Sequence, residues 1–330
     1  MHRRQILDLA ATLPAAAWLG CRRGDMGHLR ELRVAVGPYL ALAPFHIAHE
    51  SGYFRKAGLI LRLETIPFAN MSIPLLAGGK LDVAFIGPTA ALLNAVAGGG
   101  KVRIIAGWET AQPGCSDVGT IYGHRRAFPR GLSSLHELKG KRIAIHSIAS
   151  VGDFSLDALL AQAGMRREDV ESVVLQHETA VAAVMGGHVQ AMIPSEDFGK
   201  SAAAASPQLL RGPGLSQARP NFQYAFQVFG ARLLDAPPEA GSAFLTAYMR
   251  GVREYLRGAT PRFSLELARS NGVDPELVRN MCRTNSPDQA TVDFESLREF
   301  TEWCVQKKYC PRPVNVQQLV DDRFLKGVRI

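Results

Sequence analysis

The sequence lacks most of the features by which membrane channels, nucleic-acid-binding proteins and common enzymes are recognised. Beyond residue 21 no apolar run approaches the ~20 residues that a membrane-spanning helix requires. The basic residues stand in short, scattered pairs without the interleaved aromatic residues typical of a nucleic-acid-binding surface. The formal net charge of +8 therefore indicates a basic, solvated surface, and no nucleic-acid partner is expected.

Familiar catalytic motifs are also missing. The chain contains no Gly-x-Ser-x-Gly elbow, no P-loop and no His-Glu-x-x-His pair, and its nine histidines are scattered. Charged residues make up 21% of the chain and apolar residues 47%, so the composition is that of a folded protein rather than a disordered one. With 330 residues the chain is long enough for two domains. We expect no catalytic residue, no cofactor and no metal site.

The N-terminus has the layout of a secretory signal peptide. Arg3 and Arg4 precede an alanine-rich apolar run at residues 9–19, which is too short to span a bilayer. The segment also resembles a twin-arginine export signal, though only weakly. We interpret residues 1–20 as a signal peptide; the alternative is an apolar N-terminus that is not processed.

Cys21 is a candidate for lipidation. The residues Trp18-Leu19-Gly20-Cys21 resemble a bacterial lipobox, except that tryptophan stands where leucine is usual. If Cys21 is acylated, residues 21–32 form a linker after the anchor. The protein would then be periplasmic or attached to the outer face of the cytoplasmic membrane.

Four further cysteines follow, and in an exported protein they can be oxidised. They are Cys115, Cys282, Cys304 and Cys310. Four cysteines allow three pairings, and the clustering of the last three favours one disulfide among them without selecting the pair. Their spacing is poor for zinc, so we interpret them as structural.

The most informative pattern is an internal repeat. Each copy has a strand, a helix ending in Ala-Gly, a second strand, a helix ending in Gly-Gly and a third strand. Corresponding segments are residues 33–37 and 142–146, 57–58 and 163–164, 60–66 and 171–175, 78–79 and 186–187, and 81–86 and 189–193. The offset between corresponding positions stays between 106 and 109 residues, except at the start of the second strand, where it is 111. Alternating strands and helices predict parallel sheets covered by helices, and two copies predict two α/β lobes.

We assign residues 33–112 and 225–330 to lobe 1 and residues 113–224 to lobe 2. The region after residue 237 reads as a helical tail that should pack on lobe 1. Ligands of open α/β sheets bind beyond the carboxyl ends of the strands. Two facing lobes would therefore form a cleft that can close by a hinge motion.

Several segments carry a family resemblance. Residues 43–59 (APFHIAHESGYFRKAGL), 76–83 (LAGGKLDV), 138–144 (LKGKRIA) and 164–170 resemble solute-binding proteins of the nitrate/sulfonate/taurine type, a group that includes binders of thiamine-pyrimidine precursors. The match covers roughly residues 33–200. The resemblance implies a two-lobed periplasmic binding protein of the second structural class. It also implies a monomer that captures a small organic solute and delivers it to the permease of an ABC importer.

Two alternatives use the same fold. One is an enzyme of the pyrimidine-precursor-synthase type, and the other is a stand-alone ligand carrier. The enzymes have a cysteine-rich, iron-associated motif, and this sequence has nothing like it. A ligand-sensing regulator would need a fused DNA-binding or signalling domain.

Strand-end positions and the resemblance together suggest ten ligand-binding candidates, each of which could instead be a packing or helix-capping residue. Aromatic rings can stack on a flat ligand, and hydroxyl, amide and carboxylate groups can hydrogen-bond to it. The candidates are Tyr39, Phe45, Asn70, Thr89, Trp108, Ser147, Ser150, Phe154, Glu196 and Asp197. Because the predicted strand ends carry carboxylates and no arginine cluster, we expect a neutral or nitrogen-bearing solute rather than nitrate or a sulfonate.

Overall fold

The structure is a computed structural model that describes residues 29–37, 39–66, 69–114, 117–270, 275–280, 283 and 289–329. The predicted signal peptide, Cys21 and most of the linker lie outside the described residues, as do Cys115 and Cys282. Within the described part, no helix is both long and apolar enough to cross a bilayer.

Among the described residues, ten strands form two sheets. They are β1 (Arg30–Val36), β2 (Leu59–Thr65), β3 (Val83–Ile86), β4 (Val102–Thr110), β5 (Tyr122–His124), β6 (Arg142–Ile145), β7 (Glu171–Val174), β8 (Ala191–Ile193), β9 (Leu209–Arg211) and β10 (Gln223–Gly230).

The helices flank these sheets. In the amino-terminal part of the chain they are α1 (Ala43–Glu50), α2 (Tyr53–Lys56), α3 (Ala69–Ala77), α4 (Ala90–Ala97), α5 (Val151–Gln162), α6 (His177–Met185), α7 (Glu196–Ala205) and α8 (Leu215–Ala218). The remainder are α9 (Ala231–Leu234), α10 (Glu239–Leu256), α11 (Arg262–Ser270), α12 (Pro275–Arg279), α13 (Phe294–Gln306) and α14 (Val316–Leu319). Short 3₁₀ turns cover Leu40–Leu42, Leu135–Leu138, Arg167–Asp169 and Asp322–Gly327.

The two sheets share one plan, which explains the sequence repeat. The first has the order β2-β1-β3-β10-β4 and the second the order β7-β6-β8-β5-β9. In each sheet the first three strands are parallel and the fourth, β10 or β5, is antiparallel to its neighbours. We call the part built on the first sheet the first lobe and the part built on the second sheet the second lobe. The predicted fold class is therefore confirmed.

The chain passes between the lobes twice. β4 ends at Thr110 before the chain enters the second sheet, and β10 begins at Gln223 after it returns. The antiparallel strand of the first sheet is thus supplied by the chain after the whole second sheet is complete. Both crossings are short. A hinge motion between the lobes would act at these two segments.

The core of the first lobe is aromatic and is closed by α10. Phe85 of β3 lies 5.2 Å from Phe45 and 5.5 Å from Tyr248 between ring centroids. The amphipathic helix α10 packs on α1, and Gly251 lies directly against the α1 backbone. A Cβ added there would lie 2.2 Å from the carbonyl oxygen of Pro44.

Gly251→Ala should therefore destabilise the protein. The added methyl group meets backbone rather than a flexible side chain, so α1 must shift, and we expect a loss of about 1–3 kcal/mol in the free energy of unfolding. The matched control is Gly152→Ala on α5, where the nearest atom would be 3.9 Å away. Urea unfolding should show the loss for the first variant alone; equal midpoints would contradict the close packing of α10 on α1.

The helical tail packs on the first lobe, and α13 also contacts α5 of the second lobe. Phe154 of α5 stacks on Phe222 at a centroid distance of 4.9 Å and meets Trp303 of α13 at 5.5 Å. This contact between the lobes was not predicted from the sequence.

Candidate functional site

A cavity of about 400 Å³ lies between the two lobes, at the carboxyl ends of β1, β3, β6 and β8. Residues from both sheets line it. They are Tyr39, Ala41, Asn70, Phe85, Ile86, Gly87, Pro88, Thr89, Ala91, Trp108, Glu109, Val118, Gly119, His146, Ser147, Ile148, Ala149, Ser150, Val151, Gly152, His177, Ile193, Pro194, Ser195, Glu196, Tyr224 and Ala225. The position is the one that strand-end reasoning predicts for a ligand site.

Seven of the ten candidate residues lie in this lining. They are Tyr39, Asn70, Thr89, Trp108, Ser147, Ser150 and Glu196. The side chain of Asp197 lies outside the described part of the structure.

Phe45 and Phe154 are corrections to the sequence-based assignment, because the structure places neither in the cavity lining. Phe45 is fully buried in the first lobe, where its ring meets that of Phe85 edge to face. Phe154 is 3% exposed and packs between the lobes against Phe222 and Trp303. Both residues lie in the first turn of a helix near the cleft, but their side chains point into apolar cores.

The ring of Tyr39 packs against a glycine. An added Cβ at Gly37 would lie 2.2 Å from Cε2 of Tyr39, so the tyrosine ring lies directly over the Gly37 backbone. Only a residue without a side chain permits this approach. The half-buried ring of Tyr39 thereby offers an aromatic face at the end of β1.

The first lobe and the second lobe touch at the floor of the cavity. Thr89 and Ser150 form an isolated antiparallel bridge, and the backbone N–H of Ala90 donates to the carbonyl oxygen of Ala149 at 3.0 Å. The Thr89 hydroxyl accepts from the N–H of Leu92 and so caps α4. The Ser150 hydroxyl donates to the carbonyl of residue 147 at 2.8 Å. Both hydroxyls therefore have structural roles at the cavity wall.

The segment of residues 146–150, which we call the ligand loop, contains a strained residue. Ala149 has a φ of 56°, a conformation that costs a non-glycine residue about 1 kcal/mol or more. Its N–H donates to Oδ2 of Asp153 at 2.9 Å. Asp153 is completely buried and also pairs with Arg167 at 2.7 Å. This ionic support from α5 holds the ligand loop in its strained form.

Glu109 and Tyr224 are functional candidates that sequence reasoning did not single out for the site. Glu109 follows Trp108 on β4 and is 5% exposed, and its Oε2 accepts a hydrogen bond from the Tyr224 hydroxyl at 2.9 Å. The β4–β10 register shifts on both sides of Ala225. Such a bulge turns adjacent side chains to the same side, which is why both Tyr224 and Ala225 reach the cavity.

Trp108 contributes an indole donor to the cavity wall. The ring is 5% exposed and packs edge-on against Phe85 at 5.3 Å. Within the described residues its Nε1–H has no hydrogen-bond partner, and the same holds for the hydroxyl of Ser195. Buried polar groups are normally satisfied, so these two groups are unsatisfied donors beside the cavity.

Two histidines form a stacked pair on the second-lobe side. His146 and His177 have centroids 4.0 Å apart and planes 14° apart, and Phe198 stacks on the far side of His177. Nδ1 of His177 accepts from the N–H of Ser195 at 3.2 Å, which requires that nitrogen to be unprotonated. Burial lowers the pKa of His177 to about 3, with a further contribution from His146. Burial also lowers the pKa of His146.

The neutral histidine predicts a loss of stability in mild acid. Between about pH 6.5 and pH 3 the unfolded chain binds a proton that folded His177 does not, so the stabilising contribution is complete above pH 6.5 and falls below it. The free energy of unfolding should drop by about 1.4 kcal/mol per pH unit for this one group. Urea unfolding at several pH values should show a shallower decline in His177→Asn than in the unchanged protein.

His46 offers the matched comparison in the first lobe. It stacks on Phe263 at 3.6 Å, and burial together with His49 lowers its pKa to about 4. His46→Asn should remove a similar dependence of the free energy of unfolding on pH, but only down to about pH 4. Identical pH profiles for all three proteins would contradict the assignment of neutral buried histidines.

Glu196 lies in the lining but is already partnered. Its carboxylate is 3.1 Å from Arg211 and 3.3 Å from Lys200, and it accepts from the Tyr122 hydroxyl at 3.3 Å. Its negative charge is therefore largely balanced within the second lobe. Among the described residues that line the cavity there is no lysine or arginine.

The cavity is thus walled by aromatic rings and uncharged polar groups, with carboxylates from Glu109 and Glu196. Within the described residues no group of three or more histidine, cysteine, aspartate or glutamate side chains is arranged to hold a metal ion. The arrangement suits recognition of a flat molecule by stacking and by hydrogen bonds from its own donors to carboxylate oxygens.

Comparison of the sequence with known families matches residues 40–258 to the model of a family described as "NMT1/THI5 like". The matched residues include the ends of β3, β4, β6 and β8 and so contain nearly all of the cavity lining. The chain belongs to the NMT1/THI5-like family. A relative from Brucella abortus (strain 2308), provisionally named a binding protein, is 31% identical over 145 residues, which is 44% of this chain. The matched segment covers 41% of the length of that relative.

Solved structures share the fold of this NMT1/THI5-like protein. The alkanesulfonate-binding protein SsuA from Xanthomonas axonopodis pv. citri aligns over 90% of this chain and 99% of its own, with a TM-score of 0.70 and 18% identity. The periplasmic nitrate-binding protein NrtA from Synechocystis PCC 6803 aligns over 90% of this chain and 88% of its own, with a TM-score of 0.69 and 14% identity. The desulfurization enzyme DSZB aligns over 90% of this chain and 98% of its own, with a TM-score of 0.63 and 14% identity. The fold is therefore that of periplasmic binding proteins, and one named neighbour is an enzyme.

Proposed function

We propose that this protein is an exported solute-binding protein that captures a small organic molecule between its lobes and delivers it to the permease of an ABC importer. The observation that carries the proposal is the cavity of about 400 Å³ at the facing strand ends of the two lobes. The names of most structural neighbours, which are binding proteins, support it. In this proposal residues 1–20 direct export, and Cys21 carries a lipid that keeps the monomer at the membrane surface.

Binding without catalysis is favoured by the hydrogen bonds of the cavity wall. A nucleophilic mechanism requires a hydroxyl or thiol beside a general base. Among the described residues, no serine or threonine hydroxyl of the lining donates to a histidine or carboxylate; Ser150 donates to a backbone carbonyl, and the Thr89 oxygen accepts from a helix N–H. The histidine pair is engaged in stacking rather than facing a nucleophile.

The solute we propose carries nitrogen, either as N–H donors on a flat ring or as a cation. A buried carboxylate attracts donors and cations and repels anions. Glu109, with its oxygen fixed by the Tyr224 hydroxyl, would accept from such a donor. Tyr39 and Trp108 would contact the ring. Cationic side chains would favour nitrate and sulfonates, and the described lining offers none.

A thermal-shift panel tests this function. It would contain pyrimidines, purines, amino-substituted heterocycles, primary and quaternary amines, nitrate and taurine. A true ligand at 100 times its dissociation constant adds about 2.7 kcal/mol to the free energy of unfolding, which should raise the melting temperature by several degrees. We expect a response within the nitrogen-bearing compounds. A shift produced only by nitrate or taurine would contradict the proposed solute class, and catalytic turnover of the bound compound would contradict the proposed role.

A further inference from the structure

The end of α13 brings two thiols together. Cys304 lies in the last turns of the helix and Cys310 four residues beyond its end. Their side chains are 0% and 2% exposed, and the backbone N–H of Cys310 reaches the carbonyl oxygen of Cys304 at 3.2 Å. Both are free thiols in this structure. The cavity and the proposed function make no use of either thiol.

The backbone holds this pair together independently of the thiols. The N–H groups of Tyr309 and Cys310 both reach the carbonyl oxygen of Cys304, at 2.8 and 3.2 Å, and the N–H of Lys308 reaches that of Val305 at 3.0 Å. Lys308 has a φ of 61°. These features make a Schellman motif with a non-glycine residue at its left-handed position, which is strained by about 1 kcal/mol. The backbone hydrogen bonds of the turn offset this strain.

Tyr309 connects this turn to the ligand loop. Its hydroxyl donates to Oδ2 of Asp153 at 3.0 Å, and the same oxygen accepts from the N–H of Ala149 at 2.9 Å. Burial and the charge of Asp153 raise the pKa of Tyr309 to about 12, so the hydroxyl remains a donor at neutral pH. Two hydrogen bonds thus lead from the cysteine turn on the first lobe to the strained cavity wall on the second.

We propose that Cys304 and Cys310 form a disulfide, and that this bond fixes Tyr309 against Asp153 and thereby steadies the ligand loop. In the cell the inference rests on the proposed export, because a disulfide needs an oxidising compartment. The two thiols lose two protons and two electrons as the S–S bond forms. The oxidant, glutathione disulfide or the disulfide of a protein thiol oxidase, is reduced to two thiols.

The order of events follows from burial. Burial raises the pKa of both thiols, which leaves little reactive thiolate once α13 has packed. Exchange with an oxidant therefore takes place while the chain folds. Afterwards the nearly inaccessible bond is protected from reductants.

The first experiment tests the bond. The variant Cys21→Ser/Cys115→Ser/Cys282→Ser keeps only the two cysteines of the turn. It is refolded from the reduced, unfolded state in a glutathione redox buffer, alkylated under denaturing conditions and digested with trypsin. Lys307 and Lys308 separate the cysteines, so a disulfide appears as two peptides joined by one bond. The same variant with Cys310→Ser is the control. If both cysteines are alkylated instead, the inference is overturned, and because export plays no part in this test the proposed function is unaffected.

The second experiment tests the connection to the ligand loop. Hydrogen–deuterium exchange is followed for a peptide containing the Ala149 amide, in the oxidised and the reduced protein. We expect several-fold slower exchange with the disulfide present, and Tyr309→Phe should abolish the difference because it removes the hydrogen bond to Asp153. Equal exchange in the two redox states would refute the connection.

Discussion

Asp153→Asn should produce the largest loss of stability of any single substitution considered for this protein. The carboxylate is fully buried, accepts hydrogen bonds from Ala149 and Tyr309, and pairs with the guanidinium of Arg167. Removing one partner of a buried ion pair typically costs 3–5 kcal/mol, because the other charge remains buried. Arg167 keeps a second contact with Asp157 at 2.8 Å, so we expect about 3 kcal/mol.

A surface ion pair provides the control for this substitution. Asp235 contacts Lys101 at 2.9 Å, but both side chains are more than half exposed. Asp235→Asn should change the free energy of unfolding by less than about 1 kcal/mol. Urea unfolding of both variants measures the difference. Similar small losses would show that the Asp153 network does not hold the ligand loop.

The second large effect concerns binding. Glu109→Gln should weaken binding of the strongest stabiliser in the thermal-shift panel by about 100-fold, because a hydrogen bond to a buried charge is replaced by one to a neutral amide. The substitution preserves size and can still accept from the Tyr224 hydroxyl, so the melting temperature without ligand should change little. Calorimetry measures the ratio of the dissociation constants of Glu109→Gln and the unchanged protein.

Tyr224→Phe should weaken binding of the same compound to a smaller extent. It retains the Glu109 charge and removes only the hydroxyl that donates to it at 2.9 Å. A smaller loss, about fivefold, is expected, because the Tyr224 hydroxyl only orients the carboxylate and one such hydrogen bond contributes about 1 kcal/mol. Tighter binding by Glu109→Gln than by the unchanged protein would mean that the solute is an anion.

The fold was predictable from the sequence because it is repeated. One strand–helix pattern occurs twice at a nearly constant offset, and each copy became the parallel part of one sheet. The antiparallel strand that completes each sheet was not predictable from the repeat. β10 joins the first sheet after the chain has left and returned, and such long-range pairing leaves no local pattern.

Strand-end reasoning identified the right segments but not always the right faces. Phe45 lies in the first turn of a helix at the cleft, yet its ring enters the aromatic core, because a helix start does not fix which way one side chain points. Phe154 is similar, since the contact that buries it comes from α13, almost 150 residues later.

The missed residues have different explanations. Glu109 and Tyr224 reach the cavity through an irregular β4–β10 register, which no local pattern announces. His177 could have been found, because the repeat places it opposite Asn70 at an offset of 107 residues. Applying the offset to each candidate of the first lobe is therefore a usable way to locate its counterpart in the second.

The most direct test of ligand capture between the lobes is a calorimetric titration. The strongest nitrogen-bearing stabiliser, nitrate and taurine are each titrated into the purified protein. A cavity walled by carboxylates and aromatic rings predicts saturable binding of the nitrogen-bearing compound at one molecule per chain, and no heat from the two anions. Tight binding of nitrate or taurine, with no response to any nitrogen-bearing compound, would contradict the account.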